Sequence, residues 1–78
     1  ALLMMNSPIV RGYAEGLAKR AAAAGGDVKT QLAAAYRIAL GRDPSQQELV
    51  DAERFVAGAT FADFCQILLS SNEFVYVN

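Results

Sequence analysis

Three stop-and-start joints divide this sequence: Gly25-Gly26-Asp27, Gly41-Arg42-Asp43-Pro44-Ser45 and Gly58-Ala59-Thr60. At each, a glycine suited to ending a helix is soon followed by Asp, Ser or Thr, whose side-chain oxygen accepts from an amide in the first turn of the next helix. Joints this closely spaced leave room only for short segments. A short amphipathic helix is marginal alone and must bury its apolar stripe against neighbours, so the punctuation points to a packed set of short helices.

The segments between the joints have the matching periodicity. Ser7-Pro8 offers an N-cap followed by proline at the first helical position, and the helix it opens is expected to run to about Ala24. Its predicted inner stripe is Ile9, Tyr13 and Leu17, flanked by Val10, Ala14 and Ala21, with Arg11, Glu15 and Lys19 as a charged ladder on another face. Asp27 caps a second helix with the stripe Val28, Leu32, Ala35, Tyr36 and Ala39, stopped by Gly41. Ser45-Gln46-Gln47-Glu48 is a capping box opening a third helix, whose core face is Leu49, Ala52, Phe55 and Val56. Thr60-Phe61-Ala62-Asp63 is a second box; it opens a fourth helix carrying Phe61, Phe64, Cys65, Leu68 and Leu69 and ending near Ser71. The closing "NEFVYVN" alternates with a period near two and predicts an extended or short-turn C-terminal tail. In that tail Phe74 and Tyr76 are expected to pack on the first two helices, with Val75 and Val77 facing a partner.

The expected fold is therefore all-α: a compact bundle of about four short helices in one domain over residues 1–78. Fifteen alanines favour helix but add little burial each, and a core in 78 residues rarely yields more than about 3–5 kcal/mol of net stability. The start "ALLMMNSP" has neither an initiator Met nor a basic stretch before its apolar residues, which suggests a fragment of a larger protein rather than a signal peptide. No apolar run approaches the roughly 18–20 residues that span a bilayer, so no membrane insertion is expected. The fragment itself is expected to be a monomer.

Charge and residue types narrow the chemistry. The net charge is −1 with no block of one sign, which disfavours a nucleic-acid partner. The joint between the second and third helices has the outline of a helix-turn-helix, but a recognition helix with Glu48, Asp51 and Glu53 against Arg54 would bring the wrong sign to phosphates. Histidine is absent, which removes the commonest general base and metal ligand, and no cofactor or metal site is expected. Cys65 lies among apolar residues and reads as a core thiol, while Met4 and Met5 read as packing residues. The pairs Glu15/Lys19 and Asp51/Arg54 read as solvated helix surface. No catalytic residue is expected, and the chain is read as not an enzyme.

Two features look outward. Gly12 and Gly16 in mid-helix together cost about 1–2 kcal/mol relative to alanine, and their spacing admits another backbone, either inside the bundle or from a neighbouring domain. Arg42 is the residue of "GRDPS" without an evident turn role, and it suits a helix carbonyl end, a nearby carboxylate or an anion beside the third helix's amides. The candidate interaction surface is thus Gly12, Gly16, Arg42, Val75 and Val77.

The stretches "ALLMMNSPIVRGYAEGLAKR", "LAAAYRIALGRDPSQQELVDAERFV" and "FADFCQILLSSNEFVYVN" together resemble the C-terminal part of a planctomycete-type domain of unknown function. Its most specific marks here are Tyr36-Arg37, Ala39 to Arg42, Pro44, Glu48-Leu49, Asp63 to Cys65, Leu68-Leu69, Asn72 to Phe74 and Tyr76-Val77. That domain closes large exported proteins which often also carry a cytochrome c module. The resemblance implies an exported or cell-envelope location and upstream domains of the parent protein as partners, and it carries no catalytic residues. The "YRIALGRDPS" joint with the later "LLSSNEF" is also similar to short helical modules of secreted, repeat-bearing bacterial proteins, which implies a structural role for both motifs. The expected function is a non-catalytic structural or interaction module; the alternative is a segment completing the active or redox site of a larger enzyme.

Overall fold

The computed structural model describes residues 8–71. They form four helices, α1 (Pro8–Ala22), α2 (Val28–Leu40), α3 (Gln46–Ala57) and α4 (Phe61–Leu69), and the described residues contain no strand. The joints work as their chemistry requires. Asp27 Oδ1 accepts from the Thr30 amide at 3.0 Å and from the Thr30 hydroxyl at 2.9 Å, which starts α2. Gly41 stops it with φ +74°, a left-handed backbone that a side chain would strain, and its amide donates to the Arg37 carbonyl at 3.0 Å.

Both capping boxes are closed. The Ser45 hydroxyl accepts from the Glu48 amide at 3.1 Å while Glu48 Oε1 accepts from the Ser45 amide at 2.8 Å. Thr60 Oγ1 and the Asp63 amide meet at 3.0 Å, with the Thr60 amide donating to Asp63 Oδ2 at 3.2 Å. Gly58 ends α3 at φ −111°, a conformation open to any residue, so the break there comes from the following cap and not from glycine's freedom.

Helices α2 and α4 form the middle of the bundle, with both α1 and α3 packed against them. The core is Val10, Ala14, Leu17 and Ala21 from α1, Leu32, Ala34, Ala35 and Tyr36 from α2, Ala52 from α3, and Phe64, Cys65, Leu68 and Leu69 from α4. Two core rings, Tyr36 and Phe64, lie 5.9 Å apart, and the Phe55 ring lies 6.2 Å from Phe64 at the core's edge, both pairs tilted.

Two sequence expectations are corrected here. The inner stripe of α1 is Val10-Ala14-Leu17-Ala21; Ile9 and Tyr13 point outward, 69% and 67% exposed. Alanine in a contact face lets helix axes approach, so the smaller of two neighbouring stripes can make the better seam. Val28 and Phe55 are likewise more exposed than a core role implies, although the Phe55 ring still leans on Phe64. The charged ladder of α1 is also redirected. Arg11 donates to Glu15 at 3.3 Å but reaches across to α4 as well, to Asp63 Oδ1 at 2.8 Å and Gln66 Oε1 at 3.1 Å. The N-cap expected at Ser7, the packing roles of Met4 and Met5, and the tail with Phe74, Val75, Tyr76 and Val77 lie outside the described residues.

Candidate docking groove

The outward stripe of α1 borders an open groove. Three- and four-residue spacings link Ile9 to Gly12 and Tyr13, both of these to Gly16, and Gly16 to Arg20, so they share a face displaced from the buried one. Gly12, Tyr13, Gly16, Leu17 and Arg20 form one wall of the groove; Ile38 and Ala39 of α2 and Leu69 of α4 form the rest, around a volume of about 360 Å³. Both glycines are solvent-exposed, and among the described residues a Cβ built on either meets nothing within 4 Å beyond its own helix. Close packing against α2, α3 or α4 therefore does not account for them. Apart from Arg20 the lining carries no ionisable side chain other than the Tyr13 phenol.

Arg42 is placed elsewhere. It borders a separate pocket with Tyr36, Leu40, Glu48, Phe64, Ile67 and Leu68. Its guanidinium makes a two-pronged contact with Glu48, Nη1 to Oε1 at 2.8 Å and Nη2 to Oε2 at 2.9 Å, and donates to the Asp43 carbonyl at 3.0 Å. It also lies over the Tyr36 ring, 5.7 Å from the centroid. Beside it Arg37 donates to Asp43 Oδ1 at 2.9 Å. A nearby carboxylate, one of the partners open to Arg42, is thus met in Glu48.

The titratable groups that depart from their ordinary range are explained by these contacts. Glu48 is held down at about 2 by the Arg42 guanidinium and then by the Ser45 amide. Asp63 is lowered by Arg11 and the Thr60 amide, and Asp27 by the Thr30 amide and hydroxyl. Each of these carboxylates is a helix cap, so its perturbation has a structural cause. Burial pushes the Cys65 thiol up to about 12, which leaves no thiolate at neutral pH. Among the described residues no three His, Cys, Asp or Glu side chains come together as a metal site, and no helix is long and apolar enough to cross a membrane.

Of the residues singled out from sequence, Gly12 and Gly16 fall together on the groove, Arg42 is engaged at the α2–α3 joint, and Val75 and Val77 lie outside the described residues. Sequence reasoning missed Ile38 and Arg20 as groove residues and assigned Tyr13 to the core. Tyr13 at i+1 from Gly12 and Ile38 outside the α2 stripe were the available signals. Comparison of the chain with protein-family models, curated proteins and solved structures finds no match.

Proposed function

We propose that this chain is a non-catalytic helical module that docks against neighbouring domains of a larger protein through the α1–α2 groove. The observation that carries the reading is the second stripe of α1: two mid-helix glycines above which no described residue comes within 4 Å of a Cβ, flanked by exposed Ile9 and Tyr13. Glycine inside a helix is disfavoured, and a backbone brought close from outside offsets that cost. The buried, protonated Cys65 and the commitment of Asp27, Glu48 and Asp63 to helix caps support a role without catalysis. From the resemblance of its motifs, the parent is an exported or cell-envelope protein and the partners are its upstream domains.

The test is made in a larger protein containing this chain. Substituting leucine for Gly16 should leave the module folded while loosening its attachment, read as faster proteolysis between it and the upstream part. Loss of turnover with attachment intact would instead favour a segment that completes an active site.

A further inference from the structure

We propose that the groove takes an apolar helix of a partner domain that carries a carboxylate to Arg20, a proposal that rests on the docking reading above. The apolar character of the occupant follows from the walls: Tyr13, Leu17, Ile38, Ala39 and Leu69 present side chains with no acidic group among them. Helix axes pack about 8–10 Å apart according to the side chains at the contact, and glycines four residues apart on one face permit the close end of that range. A helix gains from this spacing along its whole length.

The charge of the occupant follows from Arg20. It stands in the last turn of α1, where the helix's own carbonyl end favours a cation, and it forms no ion pair among the described residues. The other arginines that meet carboxylates, Arg11, Arg37 and Arg42, do so within the bundle. Arg20 is therefore the charge at this groove that a partner can complement. A second copy of the chain fits less well, because two such grooves placed face to face would bring no lining carboxylate to either Arg20.

The experiment uses the full chain and three synthetic helical peptides of alanine and leucine that differ at one position, glutamate, glutamine or lysine, titrated against amide resonances. The glutamate peptide should shift the Gly12, Gly16, Ile38 and Leu69 amides and bind roughly three- to fivefold more tightly than the glutamine peptide, with lysine weakest. Arg20→Gln should erase the preference while leaving the glutamine peptide unchanged. Gly16→Leu, and independently Ile38→Ala, should weaken all three peptides with the helical spectrum retained. Equal affinities for the three peptides, with Gly16→Leu still blocking, would overturn the acidic complement and leave the docking reading standing. No shift at the groove with any peptide would overturn both. Shifts of the same amides on raising protein concentration alone would reassign the groove to a second copy.

Discussion

At the scale of single residues, Glu48 and Arg42 hold the joint between α2 and α3. Glu48 closes the capping box with one oxygen and shares both oxygens with Arg42, so the start of α3 is tied to the residue that follows the end of α2. Removing the cap hydroxyl, Ser45→Ala, should cost about 1 kcal/mol in a denaturation midpoint series. Arg42→Ala should cost a similar amount, about 1 kcal/mol, because the pair has two-pronged geometry but remains partly exposed. Arg42→Lys should recover only part of it, since an ammonium cannot repeat the planar fork. Sequence alone assigned Arg42 no role in the turn itself but offered a nearby carboxylate as one partner, and Glu48 is that carboxylate; a ranking in which Arg42→Ala had no effect would remove the pair from the account. The same pair sets an acid limit. Glu48 is held at about 2 in the folded chain, below the ordinary 4.5. Its stabilisation is therefore complete above about pH 4.5 and is lost as pH falls from there toward 2, with solvent screening holding the amount to about 1 kcal/mol. Asp63 and Asp27, also lowered, act in the same direction. Melting temperature should stay level from pH 7 to 5 and drop below 4.5, and Glu48→Gln should flatten part of that drop; an unchanged acid limb in the variant would remove Glu48 from the account.

At the scale of elements, helix boundaries were legible, and so were the buried faces of α2 and α4, whereas the face of α1 was not. Caps are local: Asp27, Ser45 and Thr60 each find their partners within three residues, so the sequence contains the whole interaction. The face of α1 is decided by what it meets. Ile9-Tyr13-Leu17 and Val10-Ala14-Leu17-Ala21 are both helical stripes, and only the surfaces of α2 and α4 select between them. Arg11 was legible as a partner of Glu15, while its contacts with Asp63 and Gln66 join residues more than fifty positions apart. The candidate groove was legible in part for the same reason, through Gly12 and Gly16 on one helix but without Ile38 and Leu69 from two others. The glycines give a direct test. No described residue obstructs a Cβ at either position, so Gly12→Ala and Gly16→Ala should each raise stability by about 0.5–1 kcal/mol, seen as a higher melting temperature. Gly41→Val should act oppositely and lose more than about 1 kcal/mol, because its backbone is left-handed. A destabilising alanine at Gly12 or Gly16 would show that the space above α1 is already filled.

For the molecule as a whole, the governing fact is how little large apolar surface the core contains. Among the described residues, five of the thirteen buried ones are alanine, while Ile9, Tyr13 and Ile38 remain outside. A core of this kind in a chain this short leaves about 3–5 kcal/mol of net stability, so one large core truncation approaches the total. This makes the orientation of α1 measurable with three variants. Leu17→Ala removes a side chain that is 5% exposed and should cost about 2–5 kcal/mol, enough to broaden or abolish the cooperative loss of helical circular dichroism. Ile9→Ala and Tyr13→Ala remove side chains that touch solvent and should stay within about 0.5 kcal/mol of the parent. The contrast bears on function as well as fold, because the residues whose loss the bundle tolerates lie on the helix face that docking would use. Were Tyr13→Ala as damaging as Leu17→Ala, the larger stripe of α1 would be its buried one, Gly12 and Gly16 would turn toward the core, and the groove would no longer exist as a surface for a partner.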